Sequence, residues 1–241
     1  MSGHSHWSGI KHKKELEDKK RSKIFSKLNR ILTIAAKNGL DPESNPKLKT
    51  AIEQARAFNM PNDNIERVLK KASGDQEMSN LEEFLYEAIG PGKIAIIIEG
   101  ITDNKNRTML EIKQILSQKG GKVAQEGSLR WQFQPRGVIR ISLEDNPQTN
   151  KEDLELLAIE TGAEDIKWHE AILEIYVKPT NIEATKTTLE SKNVKTTSAG
   201  LEWIANEEIE IDPKEKNQAQ ELFEALDESE DVQNIYSNLK E

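Results

Sequence analysis

Between Glu15 and Asn38 the apolar residues return at helical spacing. Leu16, Ile24, Leu28, Ile31, Leu32 and Ala35 share one side of a wheel, while Lys19, Lys20, Lys23, Lys27 and Arg30 fall mostly elsewhere. Gly39 is placed to stop this helix, and Asp41-Pro42-Glu43-Ser44-Asn45-Pro46 reads as a turn. A second helix is expected over 47–58, with Leu48, Ala51, Ile52 and Ala55 inward. Met60-Pro61-Asn62-Asp63 breaks it and opens a third, in which Ile65, Val68, Leu69 and Ala72 form an i, i+3, i+4, i+7 stripe. Pro61 suits a first helical turn, and Asp63 with Glu66 has the spacing of a capping box. Three helices with short connections make one helical domain over residues 1–75.

Past the polar stretch 75–80 the period changes. Residues 84–89 and 93–101 read as strands, 104–118 as a helix burying Met109, Ile112, Ile115 and Leu116, and 122–125 and 129–133 as further strands. Then comes a self-contained series: strand 138–143, helix 151–160, strands 163–168 and 171–177, helix 181–191 and strand 194–203. That order, βαββαβ, is the ferredoxin-like arrangement, with two helices on one face of a four-stranded antiparallel sheet. The remaining residues give a short strand at 208–211, a helix at 214–226 led by Pro213, and a strand at 232–236. Alone, that tail would leave an apolar face uncovered. Joined to 81–134 it completes a second α/β unit. The expected fold is therefore α+β and multidomain: a three-helix domain (1–75), a discontinuous α/β domain (81–134 with 206–241) and an inserted ferredoxin-like domain (135–205).

Composition narrows the functional classes. The 241 residues are 35% hydrophobic and 32% charged, which suits several small domains with thin cores better than one massive core. With no cysteine, disulfides and thiolate metal sites are excluded. No apolar run approaches the roughly 18 residues of a membrane span, and residues 1–14 lack a signal-peptide core, so a cytoplasmic protein without a membrane partner is expected. The net charge of -8 hides a segregation: residues 1–75 hold 16 Lys+Arg against 9 Asp+Glu, and the rest holds 18 against 33. A basic head on an acidic body can present positive potential to a polyanion at one end and repel it at the other.

The candidate chemistry follows that asymmetry. His4, His6 and His12 lack the further ligands of a zinc site unless a distant carboxylate joins them. With Trp7, Lys11, Lys13 and Lys14 they better suit a polyanion-binding arm, in which Trp7 either stacks on a base or anchors the arm on the helical domain. Lys19, Lys20, Arg21, Lys23, Lys27 and Arg30 continue the patch; Lys20, Lys23, Lys27 and Arg30 form a row at spacings of three and four, as phosphate contacts require. The alternative is a solubilising face paired with Glu15, Glu17 and Asp18. Arg56, Arg67, Lys70 and Lys71 extend the patch if the third helix lies alongside.

Elsewhere, Gly90-Pro91-Gly92-Lys93 precedes a strand and so reads as a tight turn, not a phosphate loop. In Thr102-Asp103-Asn104-Lys105-Asn106-Arg107-Thr108, Asp103 or Asn104 is placed to cap the helix, and Lys105, Asn106 and Arg107 are candidates to contact RNA, a phosphate or another domain. No serine elbow, Cys–His pair or metal-ligand motif is present, His169 reads as structural, and Glu228, Glu230 and Asp231 read as solvent-facing charge. No cofactor, no metal and no enzymatic activity are expected.

The chain also resembles the YebC/PmpR family nearly end to end, whose mitochondrial relatives include the translational activator of cytochrome c oxidase. The resemblance rests on Gly3-His4-Ser5-His6-Trp7 with Ile10-Lys11-His12-Lys13-Lys14, on Asn59-Met60-Pro61-Asn62-Asp63-Asn64-Ile65-Glu66-Arg67, on Gly90-Pro91-Gly92, on the 102–108 motif, on Gly120-Gly121 and on Asp231-Val232-Gln233-Asn234-Ile235-Tyr236. Three positions depart from the family's pattern: His6 stands where a lysine is usual, Lys13 keeps only the charge of the usual IKHRK, and Lys93 stands where GPGG has its last glycine. The resemblance implies three domains with the discontinuous arrangement above. It implies a DNA-binding transcriptional regulator or, alternatively, a ribosome-associated translation factor contacting ribosomal or transfer RNA and relieving stalling. The expected partner is thus nucleic acid, DNA or RNA, with the chain itself a monomer.

Overall fold

The computed structural model describes residues 18–72 and 80–240, with side chains from Arg21 onward. Its first unit is three helices, α1 (Asp18–Ala36), α2 (Pro46–Ala57) and α3 (Asn62–Ala72). Leu28, Leu32, Leu48, Ala51, Ala55, Ile65 and Val68 close a core of their own. Gly39, at φ +124°, lets the chain leave α1 by a route a β-carbon would resist. Buried Asn45 then fixes the turn. Its Oδ1 accepts from Leu48 N at 3.1 Å, capping α2, and its Nδ2 donates to the carbonyls of Ala35 and Gly39 at 2.7 and 2.8 Å. The Asp63–Glu66 capping box does not form. The helix starts earlier, with Ile65 N donating to the Pro61 carbonyl, so Asp63 lies inside the first turn as a favourable charge at the positive end of the dipole.

The second unit is a four-stranded antiparallel sheet in the order β3-β1-β2-β8: β1 is Glu82–Ile89, β2 Ala95–Thr102, β3 Lys122–Val123 and β8 Val232–Ser237. Two helices, α4 (Lys105–Gln118) and α7 (Pro213–Asp227), cover one face. Ile94, Ile96 and Ile98 meet Ile112 and Leu116 of α4 and Ala219, Leu222 and Leu226 of α7 there. On the opposite face Ala95, Ile97 and Tyr236 pack with Phe133, Trp203 and Ala205. β2 is therefore buried on both sides, which is why it reads as a continuous apolar run and not as an alternation.

The third unit is a sheet in the order β5-β6-β4-β7, built from β4 (Phe133–Ser142), β5 (Asp165–His169), β6 (Ile172–Val177) and β7 (Ser198–Ala205). Helices α5 (Lys151–Glu160) and α6 (Ile182–Ser191) bring Leu154, Ala158 and Leu189 against Ile139, Ile141, Leu173, Ile175 and Val177. This is the ferredoxin-like βαββαβ unit, inserted between α4 and α7, and the fold is α+β as expected.

Two expected strands come out differently. Residues 129–133 do not form a strand: Arg130–Gln132 make a 3-10 turn, and Phe133 already belongs to the ten-residue β4. The buried carboxylate of Glu87 sets that turn, accepting from the backbone N–H groups of Gly127, Leu129 and Arg130 at 2.7, 2.6 and 3.1 Å. Residues 208–211 contribute only a single parallel bridge, Ile209 with Leu239.

Candidate nucleic-acid interface

Of the row read from the helical wheel, Lys23, Lys27 and Arg30 face the body. Lys27 is 1% exposed. Its ammonium donates to the carbonyl and to Oδ1 of Asp227, the last residue of α7, at 3.0 and 2.8 Å. A cation at that point also meets the negative end of the α7 dipole. Burial pushes the Lys27 pKa down, and the pairing with Asp227 only partly offsets it. One turn to either side, Lys23 lies 3.3 Å from Glu228 and Arg30 lies 2.9 Å from Oδ1 of Asp231, with Ser26 donating to Glu230 at 2.9 Å. Arg30 also donates to the Ile101 carbonyl at 3.1 Å. In this arrangement the row joins the helical head to the α7–β8 turn, and Lys27 offers nothing to an outside phosphate.

Asp231 is the hub of that joint. It is 4% exposed, not solvent-facing as its place in an acidic run suggested. Its second oxygen accepts from Thr108 Oγ1 at 2.5 Å and from Arg107 Nη2 at 3.1 Å, with Thr102 Oγ1 at 3.2 Å. Asn104 caps α4 by accepting from Arg107 N at 3.1 Å. Arg107 further donates to Asp103 at 2.6 Å; these two bonds to carboxylates raise its pKa, and the same pairing lowers that of Asp103. Lys105 lies 2.7 Å from Glu82, and Asn106 is exposed. The crowding of polar groups at 102–108 thus serves the joint first: one carboxylate ties the end of β2, the start of α4, the start of β8 and, through Arg30, the head.

Cations remain on the outside of the head. Arg21, Lys49, Arg56, Arg67, Lys70 and Lys71 are exposed on α1, α2 and α3, and the Arg21 guanidinium lies 5.5 Å from the centre of the Phe25 ring. Lys19 and Lys20 fall on the described start of α1, although their side chains are not among those described. His4, His6, Trp7, Lys11, His12, Lys13 and Lys14 lie outside the described residues. Among the described residues no three His, Cys, Asp or Glu side chains are grouped to hold a metal ion. No helix among them is long and apolar enough to cross a membrane.

Sequence reasoning had the cations but missed their counterpart. Asp227-Glu228-Ser229-Glu230-Asp231 is an acidic run matched in length to the row. That complementarity within one chain is the signal that was available.

Comparison with known proteins settles the relationship. The family model described as "TACO1/YebC protein N-terminal domain" matches residues 5–75, and "TACO1/YebC second and third domain" matches 81–239. The chain belongs to the TACO1/YebC family. A relative from Halothermothrix orenii, named "Probable transcriptional regulatory protein", is 41% identical over 99% of this chain and 94% of its own length. Another of the same name from Elusimicrobium minutum is 43% identical over 99% of this chain and 95% of its own. The crystal structure of a conserved hypothetical protein from Aquifex aeolicus has a TM-score of 0.89 and 37% identity, covering 98% of this chain and 97% of that one.

Two segments on which the family resemblance rests, 102–108 and 231–236, therefore meet at Asp231. The structure also accounts for the glycines of the 90–93 turn. A β-carbon on Gly92, at φ +62°, would lie 2.5 Å from Ile211 Cγ2. Lys93 is left-handed too, at φ +62°, a conformation that favours glycine.

Proposed function

We propose that this chain is a non-enzymatic, nucleic-acid-binding regulator of gene expression, acting on DNA in the cytoplasm as a transcriptional regulator of the YebC type. The observation that carries the reading is the end-to-end match, at about two-fifths identity, to relatives named as probable transcriptional regulatory proteins. The surface is compatible with it: the exposed cations of α1, α2 and α3 lie on the one part of the chain with a basic balance, and the sequence before α1 also holds Lys11, Lys13 and Lys14. Such contacts position a phosphate backbone and carry no base sequence by themselves.

Crosslinking the protein in cells and sequencing the nucleic acid that stays bound tests this directly. Enrichment of promoter DNA is the expected result; recovery of ribosomal or transfer RNA without promoter DNA would overturn the assignment to transcription.

A further inference from the structure

The acidic run on the α7–β8 turn meets α1 in the way a row of phosphates would. Asp227, Glu228 and Asp231 each take one cation of the row, Lys27, Lys23 and Arg30 in turn, and Glu230 takes the Ser26 hydroxyl. Two further observations make this contact separable from folding. Among the described residues each apolar core cluster belongs either to the head or to the body, so the head does not borrow its core from the rest. Beside the ionic contact, Ile31, Ile34 and Ala35 of α1 face an open cleft of about 900 Å³ that also borders β1, β2 and the inserted domain, so the head stands off the body there. Among the described residues, further bonds from head to body run from Arg30 to the Ile101 carbonyl at 3.1 Å, from Lys37 to the Leu81 carbonyl at 2.6 Å and from Lys186 to Glu53. An interface held by charges weakens with salt and can be contested by another polyanion.

We propose that residues 227–231 are an internal stand-in for nucleic-acid phosphate, masking a second polyanion-binding surface made by Lys23, Lys27 and Arg30. Docked, the head binds nucleic acid through its outer cations alone. Undocked, it adds the inner row. This rests on the nucleic-acid reading above and specifies how the same domain is regulated.

The test uses the whole chain and a labelled mixed-sequence DNA duplex, followed by fluorescence anisotropy across a salt series. The variant Asp227→Asn/Glu228→Gln/Glu230→Gln frees Lys23 and Lys27 and leaves the Asp231 hub, with Arg30, intact. Glu144→Gln/Glu160→Gln/Glu207→Gln removes the same charge from exposed sites elsewhere. The first variant should bind on the order of tenfold more tightly and steepen the salt slope by about 2, one increment per freed lysine. The second should leave the slope unchanged. Because the chain has no cysteine, Ser26→Cys/Glu230→Cys can be joined by a reducible crosslinker in the Asp227→Asn/Glu228→Gln background. The bridge should abolish the gain and reduction should restore it. Equal steepening in the control variant, or a gain that survives the bridge, would overturn the masking. So would duplex binding by the unaltered protein with no gain in the first variant, which leaves the nucleic-acid reading standing. If no form binds duplex at the lowest salt, both readings fall together.

Discussion

Lys27 and Arg140 are both buried cations met by carboxylates, and they hold different things together. Arg140 lies in the middle of β4, 4% exposed, with Nε donating to Glu174 on β6 at 2.7 Å and Nη2 to Glu202 on β7 at 2.9 Å; Tyr176 donates to the other Glu174 oxygen at 2.6 Å. Every partner belongs to one sheet. Burial works against the Arg140 charge, but Glu202 and Glu174 more than offset it and the pKa rises. At Lys27 the balance runs the other way: burial outweighs Asp227 and the pKa falls. The planar guanidinium engages two carboxylates at once, whereas among the described residues the ammonium donates to the carboxylate and the carbonyl of one residue, Asp227. Charge inside a single sheet is thus fully compensated and inseparable from its fold. Charge between two separately cored units is set by burial first and by its partner second.

The sharpest way to break this comparison is to remove each cation in turn. Arg140→Ala should cost about 3–5 kcal/mol in urea unfolding, because Glu174 and Glu202 are left buried without their counter-charge. A cost under about 1 kcal/mol would mean that the two sites are energetically alike. Asp231→Asn should cost less, about 1–3 kcal/mol, since Thr108 and Thr102 keep an acceptor while Arg30 and Arg107 lose a charge. Hydrogen exchange should show the loss at the start of α4 and in β8, not in the core of the head.

Glu99 sharpens the contrast from the acid side, at the junction of the two sheets. It accepts from Trp203 Nε1 at 2.7 Å, yet burial still holds its pKa above the ordinary 4.5. The folded state therefore keeps this proton better than the unfolded chain, and stability falls as pH rises from 4.5 through the raised value. Glu99→Gln should be more stable than the unaltered protein at neutral pH. The advantage should vanish below pH 4.5 in parallel thermal melts. Smallest of all, Lys27→Met combined with Asp227→Asn should leave global stability within about 1 kcal/mol, because the lost pairing is set against the burial penalty of both charges. Its effect should appear in the salt dependence of head docking instead.

Local signals were read well and long-range ones poorly. The pattern that predicted a helix at 151–160 matches α5 to the residue, and the apolar run around Ile96 was correctly taken as a strand. The completion of the first sheet by the last strand was legible too, because a strand-helix-strand tail with no partner has nowhere to bury its apolar face. The 129–133 segment was misread because its backbone answers to Glu87, some forty residues earlier, and not to its own side chains. The cationic row was found, but a helical wheel says which residues share a side and not what lies opposite. Lys27 and Asp227 are 200 positions apart, a separation at which spacing carries no information about contact.

The position of β8 sets the order in which the protein can be finished. β2, the most apolar strand, is paired on one edge by β1 and on the other by β8, the last strand in chain order. The whole ferredoxin-like unit is synthesised between them, and it can close its own four strands without waiting. Until β8 is made, Ile96, Ile97 and Ile98 present an unpaired hydrogen-bonding edge, the kind of template on which nascent chains aggregate. The inserted unit also brings Phe133, Trp203 and Ala205 onto the second face of that strand before its last edge is filled. An interruption in the chain thereby becomes a cover held over the exposed strand during synthesis, and chaperone demand should fall on the interval before β8 emerges.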